Sequence, residues 1–387
     1  MKFDMRFGRR NLLAAGALLT LAACAVVPKG PAPAPAPEPK PVPSSGSLPS
    51  DTARHRIALL VPTTGPNAAV GQAIANAASM ALMDTNAQNL RITTYDTTGN
   101  PGAAAARAIS DGNRLILGPL LADDISAVAA VARPAKVSLI SFSNDDSAAG
   151  RNVYVMGNLP GESVRCTVKY ARAHGVSTFG GLVPKGDYGD RASRALIAEA
   201  RAAGGTVVSM ETYDRSTASI AAAAKRLRAR GDVDAVLVAE SGTLSARAAG
   251  LLKAPGSSTP RILGTELWSG EKAIATTPAL DGAWFSTVSD TRFAQFAKSY
   301  RTRFGTQPYR IATLGYDAVL LTLRVARDWK PGKEFPSSSL MSSEGFLGLD
   351  GAFRFDRSGA IERALEVREV SGGTVKVVSP AASKFAD

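Results

Sequence analysis

From residue 57 to residue 240, short strand-length runs alternate with alanine-rich stretches of helical spacing, and this order constrains the fold more than any single motif. The runs are IALLVP (57–62), RITTYD (91–96), LILGP (115–119), VSLISF (137–142), FGGLVP (179–184), TVVSMETY (206–213) and AVLVAE (235–240). Between them, stretches such as 69–84, 103–109 and 162–174 repeat apolar residues every three to four positions, the period of an amphipathic helix. Asn100 as cap with Pro101 in the first turn marks one helix start, and His174-Gly175 marks a helix end. Apolar strands separated by helices predict parallel sheet covered on both faces. The pattern runs for about 330 residues, more than one compact unit holds, so two α/β lobes are expected.

After residue 240 the alternation changes character. RILGTELW (261–268) and GAWFSTV (282–288) read as strands, and 290–304 and 307–327 as helices. FRFD (353–356), LEVREV (365–370) and TVKVV (374–378) are separated by the turn signals DRSGA and SGG, so this last group is expected to be antiparallel or mixed.

The N-terminus reads as an address. Lys2, Arg6, Arg9 and Arg10 precede an uncharged stretch from Asn11 to Val27 that contains Leu21-Ala22-Ala23-Cys24. A basic region, a short apolar region and small residues at the cleavage point describe an export signal over 1–23. Leu-Ala-Ala-Cys also looks like a bacterial lipobox, which makes Cys24 the lipidated first residue of the mature chain, and Ala25 after it favours the outer membrane. Arg9-Arg10 followed by Asn11-Leu12-Leu13 weakly resembles a twin-arginine signal. From Pro28 to Pro49 nine of 22 residues are proline, a composition that favours extended polyproline II with a reach of about 70 Å. Residues 24–53 are therefore expected to tether the globular part to a membrane.

Loss of residues 1–23 removes four basic residues and Asp4, taking the formal charge from +12 to +9. A basic exported protein suits anionic partners such as a cell wall or lipid head groups. No basic run interleaved with aromatics marks a nucleic-acid binder. With Cys24 lipidated, Cys166 is left without a disulfide partner and reads as a buried structural thiol on a helix. Two histidines and two cysteines in 387 residues leave little material for a soft-ligand metal site or a Ser-His-Asp constellation. No GxSxG, GxxxxGK[ST] or HExxH occurs, His55 and His174 flank elements at expected surface positions, and neither an enzyme nor a cofactor is expected. Trp268, Trp284 and Trp329 read as packing residues.

The order of segments resembles the type I periplasmic-binding fold of the leucine/isoleucine/valine-binding family. The matching pieces are IALLVPTTGPNAAVGQAIANAASMAL, YDTTGNPGAAAARAI, LILGPL, VSLISFSND, LVPKGDYGDRASRAL, GYDAVLL and GAFRFDRSGAIERALEVREV, which together span most of 55–378. Within that superfamily LILGPLLADD, LISFSND and LGTELWSG are similar to the penicillin-binding protein activator lipoproteins. The resemblance implies a two-lobed α/β fold, each lobe a mostly parallel sheet flanked by helices, with a hinge of crossover strands. It assigns 54–158 and 289–337 to the first lobe, 159–288 and 338–378 to the second, and leaves 379–387 as a tail.

In the solute-binding members the ligand lies between the lobes, held by hydroxyls, backbone amides and an acidic acceptor for an ammonium group. Carried onto this chain, that cleft is lined by Thr63, Thr64 and Gly65, by Pro119 and Leu120, by Ser141, Ser143 and Asn144, and from the second lobe by Tyr188 and Glu240. Ser143 and Asn144 match carboxylate donors, Tyr188 a stacking or hydroxyl contact, and Glu240 an ammonium acceptor. Other roles for the same residues are a helix cap before Asp145 for Ser143 and Asn144, and a turn cap or an Arg247 contact for Glu240. Asp187 and Asp190 beside Tyr188 are too few for a calcium site, which takes about six to eight oxygens. The stretch NVYVMGNLPGE carries no charge until Glu162, where the transport binders often have an arginine-bearing crossover, and this counts against a free amino acid. The sequence thus favours a non-catalytic lipoprotein that activates a class A peptidoglycan synthase. A lipid-anchored solute receptor of an ABC transporter is the second expectation, and a wall-binding scaffold the third.

Overall fold

The computed structural model describes residues 53–231, 233–254 and 259–385. The export signal, Cys24 and the proline-rich tether lie outside the described residues.

The chain begins with β1 (His55–Val61), α1 (Ala68–Asp84), β2 (Leu90–Asp96) and α2 (Pro101–Ser110). It continues through β3 (Leu115–Leu117), α3 (Ala122–Ala132), β4 (Ser138–Ser141) and β5 (Val153–Val155). These five strands form one parallel sheet in the order β2-β1-β3-β4-β5. The alternating direction of strand side chains explains how it is covered. Ile57, Leu59 and Val61 of β1 enter one apolar cluster with Leu115 and Leu117 of β3, while Ala58 and Leu60 enter another with Ile116. Every one of these side chains is buried, each contributing about 1.5–3 kcal/mol for a residue of valine size or larger. The Asn100 side chain accepts from the Ala103 amide at 2.9 Å and Pro101 opens α2, as the local sequence predicts.

A second lobe follows: α4 (Pro160–Ala173), β6 (Thr178–Pro184), α5 (Asp187–Ala202), β7 (Thr206–Tyr213) and α6 (Thr217–Ala229). Then come β8 (Ala235–Val238), α7 (Gly242–Leu252), β9 (Arg261–Gly264), α8 (Lys272–Thr276) and β10 (Trp284–Thr287). The chain next returns to the first lobe with α9 (Phe293–Phe304), α10 (Thr313–Ala326), β11 (Phe346–Gly348), β12 (Gly351–Phe355) and β13 (Ile361–Arg363). It crosses once more to end in β14 (Glu366–Ser371) and β15 (Thr374–Ser379). The second sheet has the order β15-β14-β10-β9-β8-β6-β7, with β6 to β10 parallel and β14 and β15 added antiparallel.

Two expectations are corrected here. Residues 338–363 do not belong to the second lobe. β11, β12 and β13 form a small antiparallel sheet, and Leu340, Phe353, Phe355 and Ile361 pack into the first-lobe core with Leu314 and Trp329. Backbone pairing fixes the attachment, since the Val155 amide donates to Gly359 O at 2.9 Å. The strand expected over 261–268 stops at Gly264, because Gly264 lies against the Trp268 ring and the chain turns through Glu266–Trp268.

The lobes share one packing device. Gly71 in α1 lies against the Pro62 carbonyl at the end of β1, and Gly189 in α5 lies against the Pro184 carbonyl at the end of β6. A Cβ at either position would overlap that carbonyl, so only glycine lets the helix start so close to its strand.

Candidate functional site

The chain leaves the first lobe from the C-terminal end of β5 and the second from the C-terminal end of β10, so these strand ends lie where the lobes join. Buried arginines fasten the crossovers to one another. Arg363 Nη2 donates to Met156 O at 2.8 Å, and Arg368 Nη2 donates to Val288 O at 3.1 Å.

On the first-lobe edge the Thr63 and Thr64 donors are already engaged by the carboxylate of Asp96. The Thr63 amide donates to Asp96 Oδ1 at 2.8 Å, Thr64 Oγ1 donates to Asp96 Oδ2 at 2.6 Å, and the Thr98 amide adds a third bond at 3.1 Å. Burial works to raise the Asp96 carboxyl, but the bonds from Thr64, Thr63 and Thr98 outweigh it and hold the group well below the usual range. Gly65 follows with positive φ and its carbonyl accepts from the Ala68 amide at 3.2 Å, leading into α1. Pro119 and Leu120 are buried. Ser141 Oγ donates to Pro119 O at 3.0 Å and accepts from the Ser143 amide at 3.1 Å, so Ser141 ties two strand ends together. Ser143 Oγ accepts from the Asp145 amide at 3.0 Å, a local turn bond.

Asp145 ties the first lobe to the second. Its Oδ2 accepts from Arg191 Nη2 of α5 at 2.8 Å, and Asn144 Oδ1 receives Arg191 Nη1 at 3.4 Å. Both side chains are largely enclosed. Burial pushes the Asp145 carboxyl up, and hydrogen bonds from Ser147 and Arg191 more than reverse it, holding it below its ordinary value.

On the second-lobe edge Glu240 is 4% exposed and fully used. Its Oε2 accepts from Arg215 Nε at 2.9 Å and Tyr213 Oη at 3.1 Å, and its Oε1 from the Ser241 amide at 2.8 Å. Arg247 instead donates to Thr217 Oγ1 at 3.0 Å, so the expected Glu240–Arg247 contact is replaced by Arg215. Tyr188 Oη lies 2.8 Å from Thr265 Oγ1 and donates to Glu266 Oε1 at 3.0 Å. Burial, followed by the nearby Glu266 charge, raises the Tyr188 phenol well above its usual value. Burial likewise pushes the Glu266 carboxyl up to about 7, against the opposing bonds it receives, and its Oε2 is buried without a partner.

The structure therefore divides the expected residues between the two lobes. Thr63, Thr64, Gly65, Pro119, Leu120, Ser141, Ser143 and Asn144 lie on one, Tyr188 and Glu240 on the other. Sequence reasoning missed Asp96, Arg191, Arg215, Thr265 and Glu266. Asp96, the last residue of RITTYD, was the one with a readable signal, a charge closing a strand run. His55, expected at the surface, is 4% exposed and stacks on Trp329 at 4.2 Å. His174 is exposed as expected. Trp268, Trp284 and Trp329 are buried. Cys166 is half-buried on α4, and burial raises its thiol. Among the described residues no group of three or more potential metal ligands is gathered, and no helix is long and apolar enough to cross a membrane.

A family model described as periplasmic binding protein matches residues 55–373. The chain belongs to the periplasmic binding protein family. Similar solved structures include the leucine-binding protein LivK of Thermotoga maritima, 20% identical, with 84% of this chain and 98% of that one covered and a TM-score of 0.64. LivJ of Streptococcus pneumoniae, a branched-chain amino acid transporter substrate-binding protein solved with isoleucine, is 19% identical over 84% of this chain and 100% of its own, with a TM-score of 0.62. A solute-binding protein of an ABC transporter from R. palustris, solved with benzoate, is 20% identical over 86% of this chain and 98% of its own, with a TM-score of 0.64. These likenesses establish that this periplasmic binding protein shares their two-lobed α/β fold. The uncharacterised protein RP748 of Rickettsia prowazekii is 28% identical over 142 residues, 36% of this chain and 38% of its own length.

Proposed function

We propose that this periplasmic binding protein is a non-catalytic receptor that closes its two lobes on a small polar solute for an ABC transporter. One observation supports the reading: Arg191 of the second lobe donates to Asp145 and Asn144 of the first. Hinged lobes with a cross-gap contact are a two-state device of the kind that ligand closure uses. A free α-amino acid fits poorly, because Asp96 takes the Thr63 and Thr64 donors and Arg215 neutralises Glu240. The solute class that fits is a neutral polar molecule, such as an amide, that adds hydrogen bonds without displacing these pairs. Titration of the purified chain with amides, amino acids and aromatic acids tests it. Saturable binding weakened by Tyr188→Phe supports the reading, and no binding to any of them contradicts it.

The self-satisfied edge also favours a second reading. An edge whose Thr63 and Thr64 donors are taken by Asp96 suits a protein that works through its outer surface, and an acylated Cys24 on a proline-rich tether would carry such a protein across a cell wall. Under this reading the chain activates a class A peptidoglycan synthase. A saturable increase in glycan polymerisation on adding the chain, without solute binding, is the result that would favour it.

A further inference from the structure

A cavity of about 330 Å³ lies between the flank of α4 and α5 and the connection from β12 to β13. Both lobes supply its walls: Arg165, Arg191, Arg194 and Glu199 from the second, Asp146, Asp356 and Glu362 from the first. Most of these charges are already paired. Arg191 holds Asp145, Glu362 accepts from Arg354 Nε at 2.7 Å, and Asp356 Oδ1 accepts from the Ser358 and Ala360 amides at 2.8 and 3.0 Å. Arg165 reaches Glu162 Oε1 at 3.4 Å. Among the described residues, Arg194, Glu199 and Asp146 are left without side-chain partners.

Glu162, which also lines this cavity, supplies the independent sign of a ligand. The residue is 7% exposed, its Oε1 accepts from the Arg363 amide at 2.7 Å, and its Oε2 is buried with no partner among the described residues. A buried carboxyl oxygen without a donor is costly, and a ligand donor that reaches it relieves the cost. Burial pushes this carboxyl up to about 8, so a cation placed beside Oε2 would draw the group back to its ionised form.

We propose that this hinge-flank cavity is a second small-molecule site, separate from the cleft, and that it takes a small zwitterion with its ammonium group on Glu162 Oε2 and Asp146 and its carboxylate on Arg194. Ala195, Ala198 and Ile361 give the cavity apolar walls for the connecting carbons. Its volume lies at the small end of the range of about 300–1,000 Å³ for ligand pockets, which fits an amino-acid or dipeptide-sized molecule. Because both lobes form the walls and Arg191 is shared with the cross-gap pair, a molecule bound here favours the closed arrangement.

The test is calorimetric titration of the full chain with glycine, γ-aminobutyrate and glycylglycine, with acetate and ethylammonium as half-molecule controls. At least one zwitterion is expected to bind saturably, at least tenfold more weakly to Arg194→Ala and to Glu162→Gln. Arg194 is exposed, so its variant keeps the fold even if Glu162→Gln does not. Three results overturn the proposal: no zwitterion binds, acetate binds as tightly as the zwitterions, or binding is lost in Tyr188→Phe and retained in Arg194→Ala. The last would place the ligand in the cleft, so failure here is distinct from failure of the receptor reading.

Discussion

Arg191 on α5 donates to Asp145, in the loop after β4, at 2.8 Å, and this bond joins the second lobe directly to the first. Their side chains are 12% and 20% exposed, which lifts the pair above the solvent-screened bridges that are worth little. A charge-assisted bond of this kind contributes about 1.5–3 kcal/mol. Arg191→Ala is therefore expected to shift the lobes toward an open state by about tenfold or more in population, at about 1.4 kcal/mol per decade. Small-angle scattering should register a larger radius of gyration. The reversed pair Arg191→Asp with Asp145→Arg is expected to recover part of the closure, and an unchanged radius in Arg191→Ala would show that the pair does not hold the lobes.

Glu240 anchors three donors, and removing it should cost more than removing any one of them. Glu240→Ala leaves Tyr213, Arg215 and the Ser241 amide without their acceptor and is expected to cost about 2–3 kcal/mol in urea unfolding. Arg215 is 53% exposed and solvent screens its charge, so Arg215→Ala is expected to cost under about 1 kcal/mol. Equal costs for the two variants would contradict this ordering.

Three buried carboxyls set a pH dependence with a definite sign. Burial raises Glu162 to about 8 and Glu266 to about 7, and burial followed by the charge of Asp350 raises Asp317 to about 7. An unfolded chain releases these protons near the ordinary carboxyl value of about 4. The folded state therefore holds more protons between about pH 5 and 8, and their contribution to stability falls as pH rises through that window. The melting temperature is expected to drop between pH 5.5 and 8.5, and the drop should shrink in Glu162→Gln. A slope identical in wild type and variant counts against a neutral buried Glu162.

Gly71 and Gly189 offer a matched pair of backbone tests. Alanine at either position drives a Cβ into a strand-ending proline carbonyl, so each substitution should cost about 1–3 kcal/mol or more. Gly99 has open space around it, and although its positive φ adds strain, alanine there is expected to cost less. Denaturant midpoints of the three variants check the order.

The alternation of strand and helix was legible because the central strands β1 and β3 are apolar on both faces. Ile57, Leu59 and Val61 serve one layer and Ala58 and Leu60 the other, which leaves no polar interruption to confuse the reading. The helix start at Asn100-Pro101 was legible for the same local reason. What misled was the segment around Phe353 and Phe355: its hairpin signals were plain, but which lobe an antiparallel sheet joins depends on contacts with Leu314 and Trp329 far away in sequence. At the candidate site the residue types after each strand were readable, whereas their partners were not. Nothing local says that Asp96 will take the Thr64 hydroxyl, that Glu240 will meet Arg215 rather than Arg247, or that Arg191 will reach across to Asp145. Those pairings are set by how the strand ends are brought together in space.

Closure of the two lobes on a small solute held between their strand ends can be observed in solution. Scattering of the full chain with and without a saturating solute, chosen by titration, tests it most directly. A saturable decrease in the radius of gyration is expected, and it should be lost in Tyr188→Phe. A solute that binds without changing the radius, or no bound solute alongside a saturable stimulation of a peptidoglycan synthase, would contradict it.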